Sequence, residues 1–155
     1  MKIELGQKAP AFTLLDSDKN EVSLAQYKGK NVLLLFFPLA FTGTCTTELC
    51  SMRDDIASYN SANAQVFGIS VDSRFVLGKF KEEQKLNFPL LSDFNKEASV
   101  AYGCLYESFI GMNGVSKRSA FVIDSEGVVR YVEVLENAAE IPNFVKIKEV
   151  LAGLK

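Results

Sequence analysis

The stretch "KNVLLLFFPLAFTGTCTTELC", residues 30–50, runs from an unbroken apolar block through a short turn into two cysteines. Its first part starts after Gly29 and is stopped by Pro38, the pattern of a strand buried on both faces. From Cys45 onward, Cys45, Leu49, Met52, Ile56 and Tyr59 fall at i, i+4, i+7, i+11 and i+14. That spacing predicts one amphipathic helix, ended by the polar "NSANA" at 60–64. A buried strand feeding a helix marks an α/β chain.

The scheme repeats downstream. "AQVFGISVD" at 64–72 has the same strand character, and "SAFVIDSEGVVRYVEV" at 119–134 reads as two strands joined by a turn at 124–127. Helices are expected over 73–86, 96–102 and 141–154, the last opening near Pro142. The charge run "KFKEEQK" at 79–85 reads as a solvated helix face supported by pairs such as Lys79 with Glu83. The order is strand, helix, strand, helix, strand, then a hairpin and a closing helix. It fits one layered domain over 1–155 with helices on both sheet faces. No repeat, low-complexity tract or linker interrupts it.

Composition narrows the function. With 155 residues, 48% hydrophobic and 23% charged, the chain has the balance of a soluble globular domain large enough for a full core. A net charge of −2 with scattered lysines gives no basic footprint, so nucleic acid is not an expected partner. The longest apolar run, 32–40, falls far short of the ~20 residues of a membrane-spanning helix, and the charged N-terminal stretch has no secretory pattern. A cytoplasmic location is expected. Three cysteines, an odd number, point to transient thiol chemistry instead of a disulfide framework.

The chain has no histidine, so any reactive cysteine must be activated without one. Cys45 falls where strand gives way to helix. There the unpaired N–H groups and the positive dipole end favour an anion, and a nearby cation adds to the effect. A free cysteine is already ~3% thiolate at pH 7, so complete ionisation gains only about 30-fold in rate. Larger acceleration needs donors aimed at charge developing on a substrate. The candidates are the Thr42 hydroxyl, the N–H groups of Thr44 and Cys45, and one of four arginines. Arg53 lies about 12 Å along the helix from Cys45, too far for contact; Arg118 precedes the strand "SAFVI" and can enter at the sheet's end.

Cys45 and Cys50 on one intact helix would have Cα atoms roughly 8.6 Å apart, beyond the ~7 Å that a disulfide tolerates. If they join, the first helical turns must unwind. Spacing alone leaves Cys50 either a partner for a sulfenic acid on Cys45 or a small helix residue without a role. Zinc is disfavoured, since a structural site wants four N/S ligands. Cys104 has no local partner and reads as a packing residue.

"PLAFTGTC", 38–45, matches the P-x-x-x-T-x-x-C active-site motif of peroxiredoxins. The following "TTELC" and "RD" at 53–54 resemble the bacterioferritin comigratory protein or peroxiredoxin Q branch, with similarity also to the alkyl hydroperoxide reductase E group. The resemblance spans nearly the whole chain, from "LGQKAPAFTL" through "VFGISVD" and "FPLLSD" to "KRSAFVIDSEG". It implies a thioredoxin-like fold, a central mixed sheet with helices on both faces and an N-terminal hairpin extension. It further implies a cysteine peroxidase acting on hydrogen peroxide and organic hydroperoxides, without metal, flavin or haem.

Carried over by position, the resemblance makes Cys45 the peroxidatic cysteine. Thr42 would hydrogen-bond the peroxide and Pro38 would shield the thiolate. Arg118 would hold the thiolate and polarise the substrate, with Glu48 steadying the arginine. Cys50 stands where a resolving cysteine forms an intrachain disulfide, later reduced by a thioredoxin-like dithiol protein. Similar proteins without a cysteine there use an external thiol. The competing function is a redox sensor that signals through oxidation of Cys45. Residues 105–115, with Phe109, Ile110 and Met112, read either as bordering the site or a homodimer face, or as a loop packed on its own core; Phe41 is read the same way.

Overall fold

A computed structural model describes residues 2–154. Thr13–Asp16 (β1) and Glu21–Ser23 (β2) form the N-terminal hairpin, followed by a 3-10 turn at Leu24–Tyr27. Then come Asn31–Phe36 (β3), Gly43–Asp54 (α1), Ile56–Ser61 (α2), Ala64–Ser70 (β4), Arg74–Gln84 (α3), Leu90–Ser92 (β5) and Glu97–Ala101 (α4). Ser119–Ile123 (β6), Val129–Val134 (β7) and Phe144–Gly153 (α5) complete the order. The strands build one seven-stranded sheet in the order β2-β1-β5-β4-β3-β6-β7. It is mixed: β3 runs parallel to β4 and β4 to β5, while β1 with β5, β3 with β6 and β6 with β7 are antiparallel.

The apolar block at 32–37 is continuous because β3 is central. Leu33, Leu35 and Phe37 point into one core with α1, α2, α3 and α5; Val32, Leu34 and Phe36 point into the other with α4 and the N-terminal segment. The side-chain period of two thus sorts one run between two apolar layers. Gly68 on β4 is required by contact: a Cβ there would stand 2.7 Å from Leu90 Cδ2. The hairpin between β6 and β7 closes at Asp124, whose Oδ1 accepts from Glu126 N and Val128 N, each at 2.9 Å.

Three local expectations are corrected. The helix expected from Cys45 to Tyr59 is broken at Asp55 into α1 and α2. Asp55 accepts Ser58 Oγ at 2.7 Å and pairs with Lys148 of α5 at 2.7 Å, contacts that hold the junction between α1 and α2 against α5. The apolar stripe survives the break, with Ile56 and Tyr59 on the same core as Cys45. The last helix opens near Pro142 as expected but starts at Phe144 instead of 141, because Asn143 caps it by accepting Lys146 N at 3.1 Å. Lys79 pairs with Glu82 at 3.5 Å, not with Glu83.

Candidate active site

Pro38 is buried just past the end of β3, where its lack of an N–H ends the ladder after Phe37 N donates to Ile69 O at 2.9 Å. The chain then turns tightly. Phe41 takes a left-handed φ of 69°, uncommon for a side chain of its size, and sets its ring edge-on to Phe80 at 5.0 Å. Within the turn Ala40 N donates to Asp72 Oδ2 at 2.7 Å and Thr42 Oγ1 donates to Leu39 O at 2.8 Å.

Thr42 occupies the N-cap of α1 in extended conformation, yet its side chain makes no capping bond because the hydroxyl is turned back to Leu39. The first N–H groups of α1, including those of Thr44 and Cys45, therefore lack a capping acceptor. Cys45 is the third helical residue and is fully buried. It sits at the positive end of the helix, with Thr42 and Pro38 on the segment leading into it.

Arg118, one residue before β6, is a buried side chain, 1% exposed, that reaches across to α1. Its Nη1 donates to Glu48 Oε1 at 2.7 Å and its Nε to Ala138 O at 3.0 Å, and Cys45 lies within reach of its charge. Burial works against the guanidinium charge, but Glu48 and Cys45 outweigh it and hold Arg118 firmly protonated. The other arginines point elsewhere: Arg53 to Asp54 and the Gln84 carbonyl, Arg74 over Phe75, and Arg130 to Asp124.

Glu48, which helical sequence alone leaves free to be an exposed residue, is 0% exposed. Burial lifts its carboxyl to about 7 against the lowering effect of Arg118, and Glu133 adds to the rise. Its Oε2 has no hydrogen-bond partner among the described residues. The result is a buried guanidinium bonded to a carboxyl that is itself near its titration point at neutral pH.

Cys50 lies on the intact α1, with Sγ 3.4 Å from Gln84 Oε1 as donor to it. All three cysteines are free. Arg53 donates to Gln84 O at 2.6 Å and Asn87 Nδ2 to Arg53 O at 3.2 Å, so this half of α1 is pinned to the end of α3. Cys104 is buried among the opposite core, and burial pushes its thiol up to about 12.

The structure thus brings Cys45, Arg118 and Glu48 together, places Thr42 and Pro38 in the turn leading to Cys45, and keeps Cys50 apart. Sequence reasoning missed Asp72, Tyr106 and the Ala138 carbonyl. Tyr106 is buried, feels the charges of Cys45 and Arg118, and stacks on Phe109 at 5.5 Å, so the start of 105–115 borders the site. Its tip does not: Ile110 is 83% exposed.

The AhpC/TSA family model matches residues 5–132. The chain is 38% identical over 135 residues to the alkyl hydroperoxide reductase E of Mycobacterium bovis, covering 85% of this chain and 86% of that one. It is 37% identical over 131 residues to a chloroplastic peroxiredoxin Q of Oryza sativa subsp. japonica, covering 84% of this chain and 59% of the relative. Among solved structures, peroxidoxin BcpB from Mycobacterium tuberculosis superposes with a TM-score of 0.88 at 28% identity, over 99% of each chain.

Proposed function

Since the chain belongs to the AhpC/TSA family and is a thiol-dependent peroxidase with a thioredoxin-like fold, we propose that Cys45 is its peroxidatic cysteine, served by Arg118, Thr42, Pro38 and Glu48. The observation that carries this assignment is the buried Arg118 guanidinium, bonded to Glu48 and acting by its charge on the buried Cys45 at the start of α1. The guanidinium fork can donate to a peroxide oxygen.

In the proposed cycle the Cys45 thiolate attacks the distal oxygen of a hydroperoxide. The S–O bond forms as the O–O bond breaks, and the leaving alkoxide or hydroxide departs as alcohol or water after taking a proton. Because the Thr42 proton is committed to Leu39 O, the Thr42 oxygen offers only lone pairs and accepts the peroxide O–H. Arg118 stabilises charge building on the departing oxygen. Pro38 keeps water from the sulfur.

The sulfenic acid then condenses with the Cys50 thiol, releasing water and forming an intrachain disulfide. A thioredoxin-like dithiol protein reduces that bond by exchange, its own thiols being oxidised in turn. Among the described residues no helix is long and apolar enough to cross a membrane; we place the enzyme in the cytoplasm as a single domain over 1–155. A homodimer is proposed on the exposed apolar tip at Ile110 and Met112.

The test is the intact mass and peptide map of reduced protein after one equivalent of hydrogen peroxide, in wild type, Cys45→Ser and Cys50→Ser. Loss of two hydrogens at a Cys45–Cys50 link supports the whole cycle. A gained oxygen on Cys45, the same in Cys50→Ser, makes it a one-cysteine enzyme with an external thiol. An unreacted Cys45 overturns the assignment.

A further inference from the structure

We propose that Asp72, outside the matched motif, is a positioning residue for peroxide capture: through the peptide unit joining Leu39 and Ala40 it fixes which way the Thr42 hydroxyl points. The inference rests on the reading of Thr42 as the acceptor of the peroxide proton.

The Ala40 N–H and the Leu39 carbonyl belong to one planar peptide group, and in a trans peptide they point in opposite directions. Asp72 Oδ2 accepts the N–H at 2.7 Å on one side, and on the other the carbonyl accepts Thr42 Oγ1 at 2.8 Å. The three groups form a chain from carboxylate to amide to hydroxyl. A carboxylate drawing on the N–H makes the carbonyl a better acceptor, since linked hydrogen bonds polarise one another.

A threonine hydroxyl otherwise rotates to suit its surroundings, with one donor and two lone pairs. If its proton swung toward the substrate, Thr42 would compete with Arg118 as a donor and would no longer present lone pairs alone to the peroxide O–H. Holding that proton on Leu39 keeps the Thr42 oxygen an acceptor.

Asp72 is itself fixed. Ser70 Oγ donates to the same Oδ2 at 2.7 Å, Asp72 N donates back to Ser70 Oγ at 3.1 Å, and Ser92 Oγ donates to Asp72 O at 2.7 Å. Ser70 ends β4 and Ser92 ends β5, so the carboxylate is tied to the rigid sheet. The turn it holds needs holding: Phe41, the next residue after Ala40, sits at φ 69°, a conformation that persists where its neighbours enforce it.

The experiment is a double-mutant cycle of Asp72→Ala and Thr42→Val, with Asp72→Asn as the conservative variant, reading two rates in folded protein. One is the second-order rate constant for oxidation by hydrogen peroxide; the other is alkylation of Cys45 by iodoacetamide, which involves no peroxide proton. Asp72→Ala is expected to slow oxidation about tenfold, the scale of one hydrogen bond, with alkylation unchanged within about twofold. Asp72→Asn still offers an oxygen to Ala40 N–H and keeps most of the rate. In the Thr42→Val background Asp72→Ala has no further effect. Full additivity, or an equal loss in alkylation, overturns the relay and makes Asp72 a structural residue. A wild-type rate in Thr42→Val overturns the reading of Thr42 itself, and the relay with it. If Asp72→Ala fails to fold, Asp72→Ser, too short to span to Ala40, takes its place in the same cycle.

Discussion

Arg118 Nη1 meets Glu48 Oε1 at 2.7 Å with both side chains sealed from solvent, and the charge of the same guanidinium reaches Cys45. Two partners for one cation set two separate outcomes for its removal. Arg118→Met is expected to lower the rate constant for hydrogen peroxide by about 10²–10³, the scale of losing one donor to a developing oxyanion. It also leaves Glu48 alone in the core, which costs about 3–5 kcal/mol when the carboxyl is charged. Adding Glu48→Gln returns most of the stability at pH 8 and none of the rate. Urea unfolding beside stopped-flow oxidation separates the two.

Glu48 gives stability a pH dependence of unusual sign for a carboxylate. Burial lifts its folded value from 4.5 to about 7. Between those limits the unfolded chain has released the proton while the folded chain keeps it, so stability falls as pH rises, by up to about 1.4 kcal/mol per unit. Below pH ~4.5 both states are protonated, and above ~7 the loss is complete. The difference in unfolding free energy between wild type and Glu48→Gln, measured by urea at pH 5, 6, 7 and 8, should fall from 5 to 7 and level off by 8. A flat difference would place the Glu48 titration in its ordinary range.

Much of this site is legible in the chain because one contiguous segment writes it. The two-sided strand 31–36, the turn and the helix carrying Cys45 follow one another, and each announces itself by period or by Pro and Gly. What sequence leaves hidden lies across the fold. Asp72 meets Ala40 over 32 residues, and Asp55, at the helix break, pairs with a lysine 93 residues away. Glu48 falls three positions after Cys45, on the same helix face; only packing reveals that this face carries a carboxyl into the core.

Because α1 runs unbroken through Cys45 and Cys50, the proposed disulfide demands that its first turns open. Amide exchange over 43–52 should therefore quicken on oxidation in wild type and stay slow in Cys50→Ser. The contact of Cys50 with Gln84 Oε1 holds the helix shut. Gln84→Ala should speed disulfide formation severalfold after peroxide addition while leaving oxidation of Cys45 itself unchanged. Slower closure would instead mean that Gln84 presents Cys50 to Cys45.

At the far end of the 105–115 segment, Phe109 and Met112 exchange backbone hydrogen bonds at 2.7 and 2.9 Å, with Ile110 at φ 50° and Gly111 at φ 78° between them. Two positive φ values make this a turn suited to Asn-Gly, and a β-branched residue in the first place is strained. Ile110 is nonetheless 83% exposed, with Met112 beside it at 40%. An apolar side chain held in a strained backbone where water meets it gains nothing within the monomer. Ile110→Asn should thus act in opposite directions. It relieves the turn and raises monomer stability by roughly 0.5–1 kcal/mol, judged by urea unfolding at low protein concentration. It also weakens the proposed self-association, seen as a smaller sedimenting species than wild type at the same concentration. Wild type that sediments as a monomer at every concentration would remove the homodimer and leave only the gain in stability.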